Sequence, residues 1–177
     1  MRYGLIKPHK DYQDQFYSMV KDYDDHDELS YPKHFNRDED SFEDYLQRID
    51  DMSKGIGLQP GYSETHTYWL VNDSDTILGT ARFRPELSDL TRIAGGNIGY
   101  DISPSHREKG HGTNILSLLL DKLKATHPGE RLLITCHVTN IASNKIILSN
   151  GGILESTIIS PKTGNEINRY HIVVGSS

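Results

Sequence analysis

The chain has 177 residues, 35% of them hydrophobic and 25% charged, with 19 Lys+Arg against 25 Asp+Glu and a formal net charge of −6. Such a chain, read as a single domain over 1–177, can bury roughly two thirds of the surface it exposes when unfolded, which excludes fibrous and wholly disordered classes. No run approaches the roughly 20 apolar residues of a bilayer span, the first residues lack the apolar centre of a signal peptide, and an acidic chain binds phosphate backbones poorly, so a cytoplasmic protein with no membrane and no nucleic-acid partner is expected.

In chain order, Arg2–Ile6 is predicted as a short strand ending before Pro8. Tyr12, Phe16, Met19, Val20 and Tyr23 recur at helical spacing, as do Phe42, Tyr45, Leu46 and Ile49, so two amphipathic helices joined near Tyr31-Pro32 are expected. Charge concentrates here. Between Lys21 and Asp51 twelve acids and four bases give the segment −8, so the rest of the chain sums to +2. Gly55 to Gly61 breaks the pattern and reads as loop. Tyr68–Val71 and Thr76–Arg84 then form a predicted antiparallel pair across Asn72-Asp73-Ser74-Asp75. Asn97–Ile102 is a strand, followed by a Ser-Pro-Ser turn and a helix from about Gly112 to Ala125. Arg131–Val138 is a strand, Ile141–Ser149 a helix closed by Gly151-Gly152, and Ile153–Ile159 with Ile167–Val174 a hairpin. Antiparallel strands with helices between some of them predict an α+β, or mixed α/β, layer fold.

The strongest local signal is Asp101-Ile102-Ser103-Pro104-Ser105-His106-Arg107-Glu108-Lys109-Gly110-His111-Gly112-Thr113, a strand entering a helix through a glycine-bearing loop. Glycines allow close backbone approach, the first N–H groups of a helix have no partner within it, and Arg107 and Lys109 add positive charge, so the loop suits an anion. Ile115, Leu116, Leu119, Leu120 and Leu123 form one apolar face that anchors the helix.

The string Arg107-Glu108-Lys109-Gly110-His111-Gly112 resembles the Arg/Gln-x-x-Gly-x-Gly/Ala signature of the GNAT superfamily of N-acetyltransferases. The resemblance continues through Val138-Thr139-Asn140-Ile141-Ala142-Ser143-Asn144 and Asn150-Gly151-Gly152. Tyr68-Trp69-Leu70-Val71, Gly95-Gly96-Asn97-Ile98-Gly99-Tyr100, Leu133-Ile134-Thr135-Cys136 and Arg169-Tyr170 are similar to a bacterial branch of uncharacterised acetyltransferases. The resemblance covers residues 65–175 well. It implies a GNAT fold: a mostly antiparallel sheet of about seven strands, splayed between the fourth and fifth, with about four helices. It also implies an acyl-CoA site, with the pantetheine arm on main chain around Tyr100–Ile102 and the pyrophosphate on amides of Arg107, Glu108, Lys109, Gly110, His111, Gly112 and Thr113. Asn140 and Asn144 match positions that commonly touch the cofactor.

Acetyl transfer from a thioester to an amine needs a base, because an alkylammonium with a pKa of about 10 is not a nucleophile, and a donor for the oxyanion. Many family members protonate the leaving thiolate with a Tyr that corresponds here to Ile147, which leaves water, Tyr100 or Tyr170 for that role. The glutamate base of some members is replaced by Gly96 or Asn97. His137, on the predicted fifth strand on the same side as Thr135, is the leading base candidate, against a structural histidine at a strand end. Asp101 is the second, against a surface carboxylate near a turn. Cys136 could carry an acyl group, but a lone Cys on an apolar strand reads as a small core residue, and no metal site is expected from the nine histidines. The resemblance makes residues 21–60 an acidic, acceptor-side wall. Its charge either attracts a cationic amine or is an ordinary solvated face, while Arg82 and Arg84 would instead suit a carboxylate. The expected activity is transfer from acetyl-CoA to a primary amine of a small molecule or peptide by direct attack in a ternary complex. The alternative is a non-catalytic acyl-CoA sensor of the same fold. Edge strands near the C-terminal hairpin offer a homodimer surface by fold analogy alone.

Overall fold

The computed structural model describes residues 2–175. The switch from period-2 to period-3.6 patterning along the chain generates, in order, β1 (Tyr3–Ile6), α1 (Gln13–Asp24), α2 (Phe42–Met52), β2 (His66–Asn72), β3 (Ile77–Phe83), α3 (Asp89–Ile93), β4 (Ile98–Ile102), α4 (His111–Leu123), β5 (Arg131–His137), α5 (Ile141–Ser149), β6 (Ile153–Ile159) and β7 (Glu166–Val173). The strands form one seven-stranded sheet in the order β1-β2-β3-β4-β5-β7-β6. All neighbours are antiparallel except β4 and β5.

Strand alternation divides the core into two layers. Ala81 and Phe83 of β3, Ile98 and Ile102 of β4 and Ile134 of β5 pack under α4, whose Ile115, Leu116, Leu119 and Leu123 are almost fully buried. Each such side chain contributes roughly 1.5–3 kcal/mol, so the N-terminus of α4 is held firmly at the end of β4. On the opposite face Trp69, Val71 and Ile77 meet Phe16, Tyr23, Phe42 and Tyr45 of α1 and α2. Ring contacts such as Phe16–Tyr45 (4.7 Å) and Phe16–Trp69 (5.8 Å) close that layer.

The predicted strands and the four longer helices are present, with ends shifted by one or two residues; α4 begins at His111 and ends at Leu123. Three short elements carry too few turns for a periodic signal: α3, capped by Ser88, and the 3₁₀ turns Lys10–Tyr12 and Pro104–His106. No helix among the described residues is long and apolar enough to cross a membrane.

The acids of α1, α2 and their connection are largely engaged. Asp24 pairs with Arg37, Asp25 with Lys21, Asp40 with Arg48 and Asp50 with Lys54. Asp44 completes a capping box with Ser41 at the start of α2, an arrangement whose loss typically costs about 1 kcal/mol.

Candidate active site

The site begins where β4 and β5 part. Their single register pair is Ile98 with Ile134, reinforced by a bridge from Gly96 to Ile134. Asn97 sews this root together: its amide donates to Leu133 O (2.7 Å), its Oδ1 accepts from Leu133 N (2.8 Å), and its Nδ2 donates to Arg84 O (2.9 Å). Gly96 has φ +74°, and a Cβ there would lie 2.3 Å from Leu133 O, so only glycine permits this approach. Beyond the root the strands diverge. The bonds Arg84 N to Asn97 O and Ser103 N to Leu78 O bracket the β3–β4 ladder. By antiparallel alternation Gly99 and Asp101 exchange bonds with β3, while the main-chain groups of Tyr100 and Ile102 turn toward the gap.

At the far end of β4, the loop into α4 presents main-chain amides. Glu108 (φ 60°) and Gly110 (φ 81°) are left-handed, and Gly110 caps α4 without any side-chain cap, leaving the first helical N–H groups open. The two glycines serve different ends. Gly110 supplies the left-handed turn, whereas a Cβ on Gly112 would stand 2.4 Å from Ile146 Cδ1, so Gly112 lets α5 approach α4.

The loop is braced from α1 and the residues after it. Arg107 Nε donates to Ile102 O (2.8 Å), and its other nitrogens make two 2.6 Å bonds to Glu28. Ser105 donates from its amide and hydroxyl to Asp22. Burial pushes the Asp22 carboxyl up, but the Ser105 bonds outweigh it and hold it below the usual range; Arg107 does the same for Glu28. Lys109 donates to Ser105 O, and Glu108 is exposed. His111 is buried against Tyr3 (5.3 Å), with Nδ1 lacking a hydrogen-bond partner.

On the α4 side the gap is lined by Tyr100, Cys136, Ser143 and Tyr170. The Tyr100 hydroxyl lies 2.9 Å from Ser143 Oγ, and burial pushes its pKa up to about 12. Asn140 caps α5 by accepting from Ser143 N. Asn144 Nδ2 donates to Asn140 O (2.8 Å) and His137 O (3.1 Å), while its Oδ1 accepts from Tyr170 OH (2.6 Å) and Asn168 Nδ2 (2.8 Å). Both asparagines therefore build the corner between β5 and α5. Ile147 is fully buried in the α4 core, and burial raises the half-buried Cys136 thiol.

The other face of β4 carries Asp101, which is buried rather than at the surface. It accepts from Tyr23 OH (2.6 Å), Thr80 Oγ1 (2.8 Å) and Arg82 Nη1 (2.8 Å). Tyr23 stacks on Tyr31 (5.5 Å), and the Lys33 ammonium sits 4.2 Å from the Tyr31 ring centre. Burial and the Asp101 charge push the Tyr23 phenol far up. His137 stands exposed at the end of β5, on the face shared with Thr135, whose hydroxyl accepts from Gly95 N (2.9 Å). The fold thus brings Tyr100, Ile102 and the 107–113 loop to one gap, with Asp101 behind it and His137 at the rim.

Asn97, Tyr23, Glu28, Asp22 and Ser143 were not singled out in the sequence reading. Asn97 had a signal in the string Gly95-Gly96-Asn97. Glu28 had none, because 79 residues separate it from Arg107.

Comparisons with known proteins agree with this architecture. A ribosomal-protein-serine acetyltransferase of Escherichia coli strain K12 is 27% identical over 122 residues, a match spanning 67% of this chain and 65% of that protein. The solved ribosomal L7/L12 alpha-N-protein acetyltransferase RimL in complex with coenzyme A superposes with a TM-score of 0.69 at 18% identity, covering 99% of this chain and 96% of that one. The microcin C7 self-immunity acetyltransferase MccE, solved with acetyl-CoA and AMP, gives 0.64 at 18% identity, covering 97% and 92%. The family model described as acetyltransferase (GNAT) domain matches residues 2–153, and on that match the chain belongs to the GNAT acetyltransferase family.

Proposed function

We propose that the chain transfers an acetyl group from acetyl-CoA to a primary amine of a small molecule or peptide by direct attack in a ternary complex. The observation that carries this reading is the main-chain edge of Tyr100 and Ile102, turned toward the gap with Ile102 O taken by Arg107, opening beside the uncapped N-terminus of α4. An extended amide-bearing arm suits the first and a pyrophosphate suits the second. The relative named for acetylating a ribosomal-protein serine uses an acceptor of this chemical class.

In this reading the amides of 107–113 hold the pyrophosphate. Arg107 acts from behind, through Ile102 O and Glu28, to keep the loop in shape. Tyr100 N–H donates to the carbonyl oxygen as negative charge develops there. The Tyr100 phenol is protonated at neutral pH and donates to the departing sulfur, with Ser143 orienting it, in the role that Ile147 cannot fill. His137 takes the amine proton at the rim, directly or through water. Asp101, its charge compensated by three donors, holds the floor of the acceptor side. Asn140 and Asn144 position α5 rather than bind the donor.

Calorimetry with acetyl-CoA, followed by free-thiol release against a panel of amines, amino acids and peptides, tests the proposal. Binding with turnover is expected, and His137→Ala lowers turnover by about 10²-fold or more. Absence of binding at millimolar cofactor refutes acetyl transfer. Tight binding with silence across the panel leaves a cofactor sensor.

A further inference from the structure

Much of the acidic segment's charge is engaged away from the sheet. Asp25, Asp24, Asp40 and Asp50 pair with Lys21, Arg37, Arg48 and Lys54, Asp44 caps α2, and Asp22 and Glu28 hold the 105–107 loop. The side chains that face β3 and β4 from that segment are instead Tyr23, Tyr31, Lys33 and His34. Opposite them, alternation along β3 puts Thr80, Arg82 and Arg84 on one face. Arg82 lies against the backbone of Gly99, where a Cβ would be 3.4 Å from Nη2, one residue from the open edge at Tyr100.

Of these bases only Arg82 is neutralised, by Asp101 at 2.8 Å. Among the described residues Lys33 and Arg84 have no carboxylate partner: Lys33 rests on the Tyr31 ring, and Arg84 donates to Gly96 O (3.2 Å). His34 Nε2 is buried without a hydrogen bond. Burial, and then the neighbouring Arg82, bring the Arg84 guanidinium down to about 10; burial and then Arg82 likewise lower the Lys33 ammonium, with the Asp101 charge opposing them in part. A cavity of about 290 Å³, lined by His34, Arg48 and Tyr62 among others but by neither Lys33 nor Arg84, adjoins the cluster through His34.

Resting on the acetyl-transfer reading above, we infer that the acceptor is a small amine carrying an anionic oxyacid group, a carboxylate or phosphate, which Lys33 and Arg84 bind on the acceptor face beside the β4–β5 gap. Half-buried cations without a direct ion pair are costly to hold, Lys33 being only partly offset by the Asp101 charge, and an anionic acceptor would pair with both. Guanidinium geometry suits a planar carboxylate in two parallel bonds, while the ammonium adds a point charge. Asp101 keeps Arg82 from competing, and a polycation would meet the same cluster with repulsion.

Free-thiol release with matched pairs tests this: an amino acid against its amide, and phosphoethanolamine against ethanolamine, with spermidine as the cationic probe. A kcat/KM preference of about tenfold or more for the anionic member of at least one pair is expected. The carboxylate and phosphate arms decide which oxyacid is used. Lys33→Met and Arg84→Met each collapse that ratio toward one, and Lys54→Met, outside the cluster, preserves it. Equal or better turnover of neutral amines or spermidine, or a ratio that survives both substitutions, overturns the inference while leaving acetyl transfer standing. Silence with every amine overturns acetyl transfer and this inference together.

Discussion

His34 offers a test that needs no substrate. It sits at φ 71°, its carbonyl accepts from Arg48 Nη1 (2.8 Å), and its Nε2 is buried without a partner. Burial first, then the charges of Arg82, Arg84, Lys33 and Arg48, bring its pKa from 6.5 down to about 4. In the unfolded chain the imidazole takes up a proton below pH 6.5; in the folded chain it does so only near pH 4. The unfolded state therefore binds more protons in that window, and stability present above pH 6.5 is lost as pH falls. Between pH 7 and pH 5 the loss from this one group is about 2 kcal/mol, approaching about 3 kcal/mol below pH 4. Urea unfolding at both pH values, on the native chain and on His34→Asn, measures it. Asparagine tolerates the left-handed backbone and does not titrate. His106 and His111, also lowered by burial, titrate in both proteins and cancel in the comparison. The native chain should lose about 2 kcal/mol more than His34→Asn. Equal losses would refute a buried neutral His34 among these cations, and with it the electrostatics drawn for the acceptor face.

At the root of the gap, Gly96→Ala combines left-handed strain with a 2.3 Å clash against Leu133 O. A loss of roughly 2–5 kcal/mol is expected, seen as a melting temperature lower by roughly 4–20 °C; a shift under 2 °C would mean that β4 and β5 are not held this closely. Tyr100→Phe keeps the ring and removes the hydroxyl beside Ser143, so kcat should fall about tenfold or more with acetyl-CoA affinity unchanged; unaltered kcat removes the phenol from the reaction. Glu28→Gln should cost under about 1 kcal/mol of stability, since both partners are substantially exposed, and should weaken acetyl-CoA binding by loosening the loop that Arg107 braces. Tighter and more salt-sensitive binding would show that Glu28 restrains the Arg107 charge rather than bracing the loop.

Local signals were enough for much of this molecule. The period change after Gly61, the glycine-bearing loop 107–113 and the apolar face of Ile115, Leu116, Leu119 and Leu123 are properties of neighbouring residues, and they suffice to place β2, β3, β4 and α4. The anion-suited loop was legible for the same reason: its glycines, bases and helix start are contiguous. Charge was legible only as a sum. Whether Glu28 faces an amine or Arg107, and whether Asp101 is a surface carboxylate or the floor of a buried cluster with Tyr23, Thr80 and Arg82, depends on partners 79, 78, 21 and 19 residues away. Sheet order decides those pairings, and no local pattern encodes it. The net −6 read first as a mild excess of acid thus resolves into carboxylates many of which serve as caps and braces, and an acceptor face on which Lys33 and Arg84 make no ion pair among the described residues. Composition counts charges; only packing determines which of them remain unpaired.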